Sequence, residues 1–341
     1  AGRSGEAIPL YEATLAAYER VLGDEHPNTL TSRSNLASAY QAAGRSGEAI
    51  PLYEATLAAR ERVLGDEHPN TLMSRNNLAY AYQAAGRSGE AIPLYEATLA
   101  AYERVLGDEH PNTLTSRNNL ASAYQAAGRL DEAIPLYEAT LAARERVLGD
   151  EHPNTLMSRN NLAYAYQAAG RSGEAIPLYE ATLAAYERVL GDEHPNTLMS
   201  RNNLASAYQA AGRLDEAIPL YEATLAARER VLGDEHPNTL MSRNNLAYAY
   251  QAAGRSGEAI PLYEATLAAY ERVLGDEHPN TLMSRNNLAS AYQAAGRLDE
   301  AIPLYEATLA ARERVLGDEH PDTLTSRNML AASHRLRDDS M

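Results

Sequence analysis

Asparagine pairs recur at a fixed interval along this chain: Asn76/Asn77, Asn118/Asn119, Asn160/Asn161, Asn202/Asn203, Asn244/Asn245 and Asn286/Asn287, each pair 42 residues from the next. A side-chain amide has two N–H donors and a carbonyl acceptor, so a row of them can bond the backbone of an extended peptide without demanding a sequence. The same amides can instead bond a neighbouring element, in which case one Asn of each pair shapes the packing. Arg33, Arg75 and their equivalents stand immediately before this two-residue position. A guanidinium fork suits a carboxylate, whether on a bound peptide or on a structural acidic residue. One turn position alternates irregularly between Thr (Thr31, Thr115, Thr325) and Met (Met73, Met157, Met199, Met241, Met283). Met there gives either an adaptable rim to a binding surface or a filler at a helix seam.

Two further patterns have the residue types of chemistry but not its arrangement. Asp24-Glu25-His26 returns through Asp318-Glu319-His320. Adjacent residues seldom converge on one ion, and the Pro that follows fixes an extended turn, so capping and loop packing are the expected roles and no metal or cofactor is expected. A catalytic centre needs one uniquely arranged constellation. Here Ser, His and Asp recur at the same relative places, the odd exception being His334 near the end. The chain reads as a non-enzyme.

These residues must be positioned by repeated helices. The stretch beginning AGRSGEAIPLYEATLAAYERVLGDEHPNTL at Ala1 returns, barely changed, at Ala43, Ala85, Ala127, Ala169, Ala211, Ala253 and Ala295. Each period holds two helical patterns. In Ser46 to Leu64, Ala49, Ile50, Tyr53, Leu57 and Leu64 recur at helical spacing. Gly65 supplies the end of that helix, and Pro51, costly deep inside a helix, places its start near Gly47 or Glu48. In Asn70 to Ala85, Leu72, Leu78, Ala79, Tyr82 and Ala85 make the second pattern. His68-Pro69 marks its start, Asp66 and Glu67 suit the positive end of its dipole, and Gly86 ends it. About sixteen helices follow, an all-α chain. Each is too short and Ala-rich to bury its apolar face alone, so stacking must supply the core.

Composition bounds the partners. The chain has 341 residues, with 30 basic residues, all Arg, against 46 acidic, a net charge of −16, and no Cys, Trp or Phe. The acidic surplus argues against nucleic acid and anionic membranes. Absent cysteine removes disulfides and thiolate chemistry. No run of 18 apolar residues is present, so no membrane span is expected. A cytoplasmic location is the expectation, with no targeting signal visible in a sequence that opens mid-pattern.

Asn77-Leu78-Ala79-Tyr80-Ala81-Tyr82, then Gly86, Glu90-Ala91-Ile92 and Leu94-Tyr95, resembles the tetratricopeptide repeat. The aromatic usual near the start of the first helix is absent, and the period exceeds the common 34 residues, the extra ones falling in Val63 to Pro69. Asn-Asn-Leu-Ala, Val-Leu-Gly and His-Pro together resemble the 42-residue, kinesin-light-chain type found in many bacterial proteins. The resemblance covers the whole chain. It implies a right-handed α-solenoid, a superhelix of stacked antiparallel helix pairs. In that phase residues 1–27 are an unpaired second helix with its loop, 28–321 are seven complete pairs, and 322–341 are an unpaired first helix with a short tail, all in a single array.

The family's first helices line a concave face that holds peptides, partly through Asn. Carried over by position, that groove would comprise Asn77, Tyr80 and Gln83, with Asn119, Asn161, Tyr164, Asn203, Asn245, Tyr248 and Asn287. The implied function is a protein- or peptide-binding scaffold, the partner unspecified. Two alternatives stand beside it: a spacer or rod that self-associates end to end, and the sensor arm of a larger signalling ATPase, whose phosphate loop is not in this sequence.

The repeats also alternate. One second-helix position reads Tyr18, Arg60, Tyr102, Arg144, Tyr186, Arg228, Tyr270, Arg312, and one first-helix position reads Ser38, Tyr80, Ser122, Tyr164, Ser206, Tyr248, Ser290, Ala332. Stacked equivalents would face each other, predicting a Tyr–Arg cation–π ladder and tyrosines lying over serines. Inheritance from a duplicated two-repeat unit is the compatible alternative.

Overall fold

The computed structural model describes residues 4–340. The chain divides into two compact units, Ala1–Arg171 and Ser172–Met341. The first holds α1 (Ser4–Leu22), α2 (Pro27–Ala42), α3 (Ser46–Leu64), α4 (Pro69–Ala84), α5 (Ser88–Leu106), α6 (Pro111–Ala126), α7 (Leu130–Leu148) and α8 (Pro153–Ala168). The second holds α9 (Ser172–Leu190), α10 (Pro195–Ala210), α11 (Leu214–Leu232), α12 (Pro237–Ala252), α13 (Ser256–Leu274), α14 (Pro279–Ala294), α15 (Leu298–Leu316) and α16 (Pro321–Ser340). The described residues are thus all-α, sixteen helices in a 42-residue period. Within each unit every helix packs on the next, and α4 also touches α6, as α12 touches α14.

Each pair buries a narrow stripe. On α3, Ala49, Ile50, Tyr53, Thr56 and Leu57 are buried; on α4, Thr71, Leu72, Leu78, Ala79 and Tyr82. Ala49 and Ala79 are fully buried, and their small side chains let helix backbones approach. The apolar stripe, more than intrinsic propensity, holds such short helices.

The caps explain the boundaries. His68 sits in extended conformation before Pro69 and its Nδ1 accepts the amide of Asn70 at 3.1 Å. That satisfies one of the orphan donors at a helix start. The same bond recurs from His26 through His320. Glu25, beside it, pairs with Arg62 of the next period at 2.5 Å. Capping and loop packing therefore employ the Asp-Glu-His motif. At the other end Gly86 takes φ 74° while the amide of Arg87 donates to the carbonyl of Tyr82 at 2.8 Å, closing the helix.

The long helix starts at Ser46, one or two residues before the expected Gly47 or Glu48. The first turn is stabilised enough to place Pro51 deeper than expected: the carbonyl of Arg45 accepts from Glu48 and Ala49, both at 3.1 Å, and the Arg45 guanidinium pairs with Glu48 at 2.5 Å. The short helix starts at Pro69 behind its His68 cap, as the His68-Pro69 signal predicts, and ends at Ala84. At the C-terminal end α16 runs to Ser340, so a helix occupies the residues expected as a short tail.

A second clip joins each long helix to the short helix that follows it. Tyr82 donates its hydroxyl proton to Glu54, Arg87 stacks on the Tyr82 ring at 4.5 Å, and Arg87 pairs with Glu90. The cluster recurs from Tyr40 to Tyr292. His334 takes the tyrosine's place in the last period and lies 3.9 Å from Glu306.

Candidate functional site

The even-numbered helices carry the predicted site residues, one set per 42 residues. Asn119 Nδ2 donates to Asn76 Oδ1 at 3.1 Å, and Asn161 to Asn118 at 3.1 Å. In the second unit Asn245 donates to Asn202 and Asn287 to Asn244, both at 3.0 Å. The second Asn of one period thus bonds the first Asn of the period before, an amide ladder across the stack. At the N-terminal step Ser34 occupies the position whose equivalents accept these bonds, opposite Asn77. At the C-terminal step Met329 replaces a donor, and the buried Oδ1 of Asn286 is left without a partner. Asn203 lies half-buried on α10 at the same register.

The ladder leaves room beside it. In the first unit a cleft of about 500 Å³ is lined by Tyr80, Gln83, Asn119, Ser122, Asn161 and Tyr164. Five of the predicted residues therefore share one concavity. Gln83 Nε2 donates to Ser122 Oγ at 3.2 Å, which orients the amide on its wall. Tyr80 and Tyr164, and Tyr248 in the second unit, are each 58% exposed, far more than the tyrosines of the core. The small-and-large alternation thus puts an open aromatic face on every second repeat. A neighbouring cleft of about 590 Å³ contains Ser34, Asn35, Gln41, Arg60, Asn77 and Tyr80 among its lining residues.

Arg75, predicted to meet a carboxylate, pairs with Glu61 at 2.8 Å, and Arg33 likewise with Glu19. The acid is structural: the pair joins the two helices of a repeat and repeats through Arg327 and Glu313. The Met row is surface; Met73 is 47% exposed and lines the rim of the second cleft.

The Tyr–Arg ladder across repeats is not formed. Among the described residues the recorded ring–guanidinium stacks are those of the clip, Arg45 on Tyr40 through Arg297 on Tyr292. Arg60 instead donates through Nη1 to the carbonyl of Asn70 at 3.0 Å and to Ser74 Oγ at 2.8 Å. Arg144, Arg228 and Arg312 make the same bonds to Ser158, Ser242 and Ser326. In the alternate repeats Tyr replaces Arg, and the hydroxyls of Ser32, Ser116, Ser200 and Ser284 are buried without a partner. The alternation also switches a threonine: Thr29 and Thr113 donate to Gly23 and Gly107 at 2.8 Å, whereas Thr71 and Thr155 do not find a partner. The 84-residue period is therefore written in the hydrogen bonds of the seam. These buried arginines were visible in the sequence only as an alternation at one position; the constant Ser fourteen residues on was the available signal.

The fold and the face together define a class: a tandem helix-pair scaffold with a polar, aromatic-edged face on its shorter helices. The chain belongs to the tetratricopeptide repeat family, whose model matches residues 1–62, 34–104, 73–142, 116–188, 159–229, 200–272, 243–311 and 283–340. It is similar to the structure of a protein described as a kinesin light chain from Podosopora anserina with nearly identical TPR-like repeats, at 42% identity over 61% of this chain and 99% of that one, TM-score 0.56. It shares its fold with the apo quorum sensor NprR of B. thuringiensis, at 17% identity over 90% of this chain and 83% of that one, TM-score 0.63. The fold is shared too with a signal transduction ATPase bearing a tetratricopeptide repeat sensor, PH0952 of Pyrococcus horikoshii, at 15% identity over 91% of this chain and 47% of that one, TM-score 0.62. Among curated proteins none matches the chain. No described helix is long and apolar enough to cross a membrane.

Proposed function

We propose that the chain is a protein-interaction scaffold that holds an extended polypeptide along its even-numbered helices. The observation that carries this reading is the cleft of α4, α6 and α8, where oriented amides and two open tyrosine faces line one concavity. Amides offer donors and acceptors to a peptide backbone, and tyrosines supply flat contact area at low entropic cost. Weak contacts repeated along the array add up when one ligand engages several of them.

The test is affinity capture with the chain and with a variant carrying Tyr80→Ala, Tyr164→Ala and Tyr248→Ala. These side chains are exposed, so their loss spares the core, whereas removing the asparagines would dismantle the ladder. The expected result is a partner held by the parent chain and lost from the variant, with unchanged circular dichroism. Equal capture by both would sink the reading. Capture of only further copies would favour end-to-end association.

A further inference from the structure

Five methionines stand at one position of the short helices: Met73, Met157, Met199, Met241 and Met283. All five are exposed, whereas methionine more often fills gaps in a core. The chain has no cysteine, so its sulfur chemistry is that of methionine alone. A thioether is a weak hydrogen-bond acceptor. Around this row the fold leaves donors that lack a stronger one.

At one kind of seam the donor is a hydroxyl. Met73 shares a cavity of about 290 Å³ with Tyr102 and Ser116. Ser116 is 2% exposed and its hydroxyl has no partner. The same residue types recur in the second unit as Met241, Tyr270 and Ser284, and the buried Ser284 hydroxyl is again without a partner. At the other kind of seam the donor is a guanidinium. Arg144 Nη2 reaches back to Thr115 Oγ1 of the preceding repeat at 3.5 Å. In the second unit Met199 takes the place of that threonine and Arg228 the place of that arginine. The bonds of Arg228, to the carbonyl of Asn238 at 2.9 Å and to Ser242 Oγ at 2.8 Å, both leave from Nη1. Where the row has Thr, the second guanidinium nitrogen thus finds an oxygen; where it has Met, it meets sulfur. A buried donor left unmatched costs free energy that any good acceptor would recover.

We propose that the methionine row is a reversible oxidation site for hydroperoxides, whose sulfoxide oxygens accept the bonds that Ser116, Ser284 and Arg228 lack and so clasp neighbouring repeats together. In the step itself the thioether sulfur attacks one peroxide oxygen. The O–O bond breaks, an S–O bond forms and, with hydrogen peroxide, water leaves; the sulfur is oxidised by two electrons and the peroxide reduced. Oxidation of a buried methionine disrupts the packing around it. Here the side chains are exposed, little packing is at stake, and the new oxygen lands beside waiting donors. The inference is independent of the polypeptide-binding reading.

The test treats the full chain with hydrogen peroxide. Trypsin cuts after arginine, so the five row positions all yield one identical peptide, residues 63–75 and its copies, while Met329 falls in residues 328–335. Mass spectrometry should show the shared peptide gaining one oxygen, and methionine sulfoxide reductase with a thiol should remove it. The urea midpoint of the oxidised chain should rise by roughly 0.3 M or more and return on reduction. A chain with Met73, Met157, Met199, Met241 and Met283 all changed to Leu, a swap of similar volume, should show no rise. Ser116→Ala with Ser284→Ala should cut the rise, and so should Arg228→Tyr, which installs the residue native to Tyr102 and Tyr186 at that position. A midpoint that falls on oxidation would overturn the proposal. So would a rise that survives those serine and arginine changes undiminished, or a row that stays reduced while Met329 is oxidised.

Discussion

Asn119 shows how a residue can belong to a site and to its scaffold at once. It lines the cleft and donates to Asn76 of the preceding repeat. A typical net hydrogen bond contributes about 1 kcal/mol, and an orphaned partner adds its own cost. Asn119→Ala should therefore lower stability by about 1 kcal/mol. A double-mutant cycle with Asn76→Ala should show a coupling of about 0.5 kcal/mol or more, measured by chemical denaturation. Strict additivity would mean that the ladder bond is not felt in solution. The Asn pairs were legible in the sequence as a periodic amide row, but periodicity does not say whether an amide faces a ligand or the next helix. That depends on the helix spacing, which only the stack defines.

Tyr82 carries a pH dependence of definite sign. Its hydrogen bond to Glu54, with burial second, pushes the phenol up to about 12 from 10.0. Tyr124 is pushed up to about 12 in the same way by Glu96. A group whose folded value is raised contributes its full stabilisation below the unfolded value and loses it as pH rises through the folded one. The clips should thus hold up to about pH 10 and weaken towards 12. An alkaline titration followed at once by tyrosinate absorbance and circular dichroism checks this. Glu54→Gln should bring forward the titration of one tyrosine; an unchanged curve would remove Glu54 as the cause.

At the scale of the helix, the turn signals were read almost to the residue, because Gly and Pro impose backbone geometry that no packing can override. Gly65 sits at φ 86° with open space around its Cβ position. Gly65→Ala should destabilise its pair by about 1 kcal/mol through backbone strain alone. The start of the long helix was misjudged by one or two residues for an equally physical reason. Pro51 argued for a later start, while two local contacts anchor the first turn: the Arg45–Glu48 pair, three residues apart, and the stack of Arg45 on Tyr40, five residues apart. Leu156 is 1% exposed between its neighbours, so Leu156→Ala should cost about 2–5 kcal/mol, read as a lowered denaturation midpoint.

At the scale of the molecule, each helix within a compact unit contacts chiefly its sequence neighbours, so a unit's stability is close to a sum of repeat and interface terms. Excising one period, residues 46–87, should leave a folded chain whose denaturant m-value falls by about one-eighth. Loss of folding would show that the 84-residue seam pattern must stay in phase. The repeat architecture was fully legible because self-similarity needs no energetic judgement. The carboxylate-free Arg60 was not, since its burial and its Ser74 partner arise only when α3 packs on α4.

Groove binding places the ligand against the even-numbered helices. The direct measurement is photocrosslinking with benzoylphenylalanine placed at Tyr164, on the cleft wall, and in a second protein at Ala142, exposed on α7. After capture of a partner, crosslinked partner is expected from the Tyr164 position and none from Ala142. Crosslinking from Ala142 alone would place the ligand on the longer helices and contradict it.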